Sequence, residues 1–182
     1  MNNDEAAVFA LALTALAGEG RRAERALVKR ARTGHATQRL RARRIYHQLI
    51  PAGVAHTPWN IELVERVASL FVLNPNSISS DQGLGRALRA LADHTSTRSA
   101  EAVERRFSVL LTAGPDTLDT HLTRFFARLD GAGIPVDYAR LTRELQNADH
   151  PDRFVQRRWA DEYWGGSPRD ALDSQPTIGA NP

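Results

Sequence analysis

The chain has 182 residues, 42% of them hydrophobic and 25% charged, a composition able to bury the core of one domain or of two small lobes. It contains no cysteine, which excludes disulfides, thiolate metal centres and cysteine nucleophiles. The net charge of +3 is unevenly spread: from Arg21 to Arg44 ten basic residues face one acid, Glu24, so that stretch carries about +9 and the remainder about −6.

In chain order, the first apolar run is Ala6–Ala17. Thr14 interrupts it and Asp4 and Glu5 precede it, so it lacks the basic flank of a secretory signal and falls short of the ~20 residues of a membrane span. It is expected as a buried helix over about 4–17, in a cytoplasmic protein with no membrane partner. Helices are expected next near 20–33, 37–50, 60–73 and 81–93, punctuated by Pro51, Pro58 and Asn74-Pro75. Ala100–Ala113 carries Val103, Phe107, Leu110 and Leu111 at helical spacing, entered through Ser99 and closed by Gly114-Pro115. Thr117–Asp130 has the clearest stripe, Leu118, Leu122, Phe125, Phe126 and Leu129, with Asp116 placed to cap it and Gly131 and Gly133 to stop it. Asp137 should cap a short helix bearing Tyr138, Leu141 and Leu145. Pro151 suits the first turn of a last helix, where Val155, Trp159 and Tyr163 follow before Gly165-Gly166. Strand signals are nearly absent. The expectation is an all-α bundle of about nine helices over residues 1–166 and a disordered tail over 167–182, which holds three prolines and no aromatic residue.

The basic residues fall into ridges. In the second helix Ala23, Leu27 and Ala31 form the expected buried stripe, while Arg25, Lys29 and Arg32 share another face behind Arg21 and Arg22. In the third, Leu40, Ile45, Tyr46 and Leu49 are core candidates; Arg41, Arg44 and Gln48 line one flank, and Arg39, Arg43 and His47 the other. Later come Arg105-Arg106, Arg124 with Arg128, and Arg153 with Arg157 beside Arg158. All basic residues but Lys29 are Arg. A GC-rich genome would account for Arg over Lys, but not for the clustering, which points to an anionic partner.

No enzyme is visible. The six histidines show no metal-binding helical spacing and no H-E-x-x-H pattern. Gly83-Leu84-Gly85 lacks the third glycine and the preceding strand of a dinucleotide loop. Asp161-Glu162 and Asp116 with Asp119 read as helix-terminal or solvent charges rather than an acid–base pair. No catalytic residue, metal or cofactor is expected.

One set of segments is distinctive in order and spacing: Ile45-Tyr46-His47-Gln48-Leu49-Ile50-Pro51, Val67-Ala68-Ser69-Leu70-Phe71, Leu84-Gly85-Arg86-Ala87-Leu88 and Glu104-Arg105-Arg106-Phe107. Leu122-Thr123-Arg124-Phe125, Ile134-Pro135-Val136-Asp137-Tyr138 and Trp159…Tyr163-Trp164 continue it. From about Gly20 to Gly166 the chain resembles the CasB family, the small all-helical subunit of the type I-E CRISPR surveillance complex Cascade. The resemblance implies a non-catalytic subunit that pairs with a second copy of itself. It would contact the other Cascade subunits that carry the crRNA, and hold the displaced non-target strand of the target DNA in the R-loop. Arg86, Arg105, Arg106 and Arg124 match motif arginines of the family, and Lys29 and Arg30 a basic pair of its second helix. His47 stands where members often carry Arg, making a cation there pH-dependent, and Tyr138 stands where Trp is usual.

The expected nucleic-acid-binding set is Arg21, Arg22, Arg25, Lys29, Arg30, Arg32, Arg41, Arg44, Arg86, Arg105, Arg106, Arg124, Arg157 and Arg158. Arg86 and Arg106 lie close to apolar stripes, which leaves open a buried structural role beside an acid such as Glu104. Two alternatives stand beside strand binding: an adaptor whose arginines dock on acidic protein partners, and a helix-turn-helix regulator reading duplex bases.

Overall fold

The computed structural model describes residues 1–34, 36–76 and 82–165; His35, the 77–81 segment and the expected tail lie outside the described residues. Nine α-helices are found among them: α1 (Asn3–Leu16), α2 (Arg22–Thr33), α3 (Ala36–Leu49), α4 (Pro58–Phe71), α5 (Leu84–Asp93), α6 (Thr97–Thr112), α7 (Pro115–Gly131), α8 (Tyr138–Gln146) and α9 (Phe154–Trp164). A short 3₁₀ turn, Glu19–Arg21, leads into α2. The all-α architecture expected from helical periodicity is the one found. No described helix is long and apolar enough to cross a membrane.

Apolar stripes from every helix close on one contiguous core, from Phe9 and Leu13 of α1 to Trp159 and Tyr163 of α9. α1 packs on α8, α2 on α3, and α5 on both α9 and α6, while α4 runs among α3, α7 and α8. Tyr138 sits at the centre: its hydroxyl donates to the carbonyl of Asn74, and its ring meets Phe71 edge-on with centroids 5.2 Å apart. Asn74 in turn donates to the Ile134 carbonyl, tying the end of α4 to the approach to α8.

Several local expectations are corrected. In α2 the buried face is Val28 and Ala31 with Leu27 partly covered, and Ala23 is exposed. In α3 Ala42 takes the core place expected for Leu40, which is 69% exposed. α6 starts after Ser96, not Ser99. α7 starts from Gly114 with Pro115 in its first turn, so Asp116 lies inside the helix and supplies charge rather than a cap. Gly131 is the last helical residue, and the left-handed turn that follows is made at Gly133 (φ +65°). Asp137 does cap α8, accepting from the amide of Arg140. Pro151 stands in the turn before α9, which opens after Arg153 in a left-handed conformation at φ +48°.

Candidate nucleic-acid interface

α2 and α3 lie side by side, and α4 packs against both of them and against α7. The first hollow forms where these four helices meet. It has a volume of about 440 Å³, and its charged lining is Arg32 of α2, Arg39 of α3, Arg66 and Glu65 of α4, and Asp119 and Arg124 of α7. Arg66 Nε donates to Asp119 across the α4–α7 contact, so one acid is already neutralised. Burial pushes the Glu65 carboxyl above its ordinary value, against the pull of Arg39 and Arg43.

The second hollow, about 560 Å³, lies between α6 and α7. Arg105, Arg106, His121, Arg124 and Arg128 surround a floor of Val109 and Phe125, and among the described residues no carboxylate lines it. Arg124 lines both hollows, so the early and late basic clusters of the sequence meet at α7. Among the residues that line each hollow, one guanidinium nitrogen is buried without a hydrogen-bond partner: Arg32 Nε for the first and Arg128 Nη1 for the second. A buried donor left unmade costs about 1–3 kcal/mol.

The remaining sequence candidates are placed elsewhere. Arg25 does not form one ridge with Lys29 and Arg32. Its guanidinium donates to the carbonyls of Leu16, Ala17 and Gly18 at the end of α1, and with Arg22 and Lys29 it lines a separate hollow beside Val72 and Pro75. The next helical turn rotates Arg32 away to the first hollow. Arg21 pairs with Glu24 at 2.8 Å. Arg30, Arg41 and Arg44 are exposed on α2 and α3. Arg86 and Arg106 are both exposed rather than buried beside Glu104, which instead accepts from Trp164 Nε1 at 3.1 Å. Arg86 lies close enough to Glu162 to favour its charged form. Arg157 and Arg158 are exposed on α9, Arg158 reaching 3.9 Å from Glu144.

Arg39, Arg66, His121 and Arg128 line these hollows without having been singled out as binding residues. The i,i+4 pairing of Arg124 with Arg128 and of Arg39 with Arg43 was a signal for two of them. Nothing local marks Arg66, whose partner Asp119 is 53 residues away. Glu162 is likewise no solvent charge: with Glu144 it binds the buried Arg140 guanidinium. His47 and His56, nine residues apart, stack with their Nδ1 atoms 2.9 Å from each other. Among the described residues no group of three or more metal-ligating side chains is assembled.

The comparisons with known proteins concern the same helices. A family model described as CRISPR-associated protein Cse2 matches residues 24–164. A Cse2 protein of Thermus thermophilus is 37% identical over 100 residues, 54% of this chain and 54% of that protein, so the aligned stretch spans about half of that relative. The crystal structure of CasB from Thermus thermophilus superposes with a TM-score of 0.72 at 28% identity, covering 88% of this chain and 98% of that one. A chain of a CRISPR RNA-guided surveillance complex shares the fold at a TM-score of 0.68 and 20% identity, covering 95% of this chain and 99% of that one. Because the family match runs from the first turn of α2 to the last residue of α9, through every helix that lines the two hollows, this chain belongs to the Cse2 (CasB) family.

Proposed function

We propose that this protein is the non-catalytic small subunit of a type I-E CRISPR surveillance complex, Cascade, in the cytoplasm. There it grips the backbone of the displaced non-target DNA strand and so stabilises the R-loop. The crRNA-bearing subunits and a second copy of this chain are its partners in the assembly. The observation that carries the reading is that Arg124 lines both arginine-bearing hollows, which supports a cationic path linking the separate basic clusters. Family membership and the shared fold of a chain from a surveillance complex support the setting. Exchange of a DNA duplex for a guide–target duplex is nearly balanced, so a few backbone contacts on the expelled strand tip it.

A single strand neutralised at Z phosphates gives log K a slope of about −0.7Z against log salt, so some five engaged arginines predict a slope of about −3 to −4. Titrating random-sequence single strands into the purified protein at rising salt measures this. A flat response, or strong preference for one sequence, overturns the proposal.

A second reading, docking on acidic protein partners, has one observation in its favour: Arg30, Arg41 and Arg44 are exposed on α2 and α3. If they serve assembly, reversing their charge releases the subunit from the complex while its strand affinity persists.

A further inference from the structure

The hollow between α6 and α7 differs from a plain phosphate track. Phosphates need cations and donors, whereas this hollow has an apolar floor, Val109 with 50% of its surface exposed and Phe125 beneath it. Val109 is one of the large hydrophobic side chains that the fold leaves in water, and it stands in the middle of five basic groups. The neighbouring hollow, by contrast, is lined by Glu65 and Asp119. An apolar floor ringed by planar cations fits a planar, apolar-faced group joined to anions. Guanidinium planes and an imidazole stack on bases while their edges donate to phosphates. The volume of about 560 Å³ lies within the range of ~300–1,000 Å³ typical of small-ligand pockets.

We infer that this hollow seats one unstacked nucleotide of the bound single strand, its base against Val109 and its flanking phosphates on Arg105 and Arg106 at one side and on Arg124 and Arg128 at the other. The inference rests on the strand-binding reading above and adds to it a place where the strand is held by a base as well as by its backbone. Because the floor is apolar rather than a set of directed acceptors, it takes any base and gives no sequence code.

The test compares an oligothymidylate with an abasic strand of the same length, which has the same phosphates and no bases, and with a polyglutamate peptide. With the base held against Val109 and the ring of His121, the wild-type protein should bind the oligothymidylate about tenfold more tightly than the abasic strand. Val109→Ser should narrow that ratio to about twofold, and His121→Ala provides the same comparison should the first variant lose its helical circular dichroism. Equal affinity of the wild type for both strands overturns the nucleotide subsite but leaves the cationic track standing. A ratio that persists in both variants also overturns it, since the base is then held elsewhere. Failure to bind either strand overturns strand binding itself, and polyglutamate binding as tightly as oligothymidylate replaces the nucleotide with an acidic peptide.

Discussion

Arg140 shows how a charge can be buried here without being lost. Its Nε donates to Glu144 at 2.9 Å and its Nη2 to Glu162, while Trp159 Nε1 donates to the second oxygen of Glu144 at 2.7 Å. Burial disfavours the guanidinium charge, but the two carboxylates outweigh it and hold the Arg140 pKa above its ordinary value. Burial pushes the Glu162 carboxyl up; Arg140 pulls it down, and repulsion from Glu144 adds to the rise. Two carboxylates sharing one cation leave Glu162 the less satisfied partner. A carboxyl raised in the folded state holds its proton more tightly there than in the unfolded chain. Its contribution to stability is therefore complete below the ordinary carboxyl range and lost as pH rises through its folded value. Glu162→Gln, uncharged at every pH, should thus gain stability relative to the wild type as pH rises from about 4 to about 7. Urea midpoints measured across that range check it; wild-type and variant curves that stay parallel would contradict the assigned direction. None of this was legible in Asp161-Glu162 read as a pair of neighbouring acids, because the partners come from α8.

At the scale of helices, apolar spacing located the bodies and missed some ends. The stripes of α4 to α9 are buried largely as their periodicity demands, since covering one face of a helix fixes which face it is. The ends depend on who takes the last carbonyls, and several of those partners are arginines from elsewhere in the fold. Arg25 of α2 serves the end of α1, Arg153 serves Leu111 and Ala113 at the end of α6, and Arg89 of α5 reaches the Tyr163 carbonyl of α9 at 3.3 Å. A cation at a helix C-terminus is favourable both as donor and against the dipole. Arg25, expected as a nucleic-acid-binding residue, and Arg153, grouped in the sequence with Arg157 and Arg158, act instead as caps in the fold. The glycines before and within α5 have a similar hidden reason. A Cβ on Gly85 would stand 2.3 Å from the Trp159 carbonyl oxygen, and one on Gly83 would stand 2.5 Å from Glu162 Oε2 and 2.7 Å from Arg140 Cζ. Gly83-Leu84-Gly85 is thus the seam where α5 lies against α9, not a phosphate loop. In an open helix Gly→Ala gains about 0.5–1 kcal/mol. Gly85→Ala should instead cost about 1–3 kcal/mol, because backbone must move to admit the methyl group. A thermal or chemical denaturation midpoint above that of the wild type would show the seam to be looser than its geometry.

At the scale of the molecule, the decisive feature is where the basic residues converge. The charge excess of α2 and α3 was plain in the sequence, and so was helical spacing within α7. Their meeting was not, because it depends on α4 packing against α2 and α3 as well as α7, so that one hollow is lined from all four, a relation between segments distant in the chain. The same packing divides the expected set, bringing Arg32 and Arg124 to the lining of the hollows while Arg157 remains exposed on α9. If binding depended only on total charge, Arg124→Glu and Arg157→Glu would weaken it equally, since each changes the protein by two charges. If it depends on an unbroken path, Arg124→Glu separates the two hollows and places a carboxylate where the strand must cross. Strand affinity should then fall about tenfold or more for Arg124→Glu and about twofold for Arg157→Glu, with the shallower salt slope in the former. Fluorescence anisotropy of a labelled single strand at two or more salt concentrations separates the cases. Equal losses would mean that the molecule attracts the strand as a diffuse cation, and that the junction at Arg124 does no more than any other surface charge.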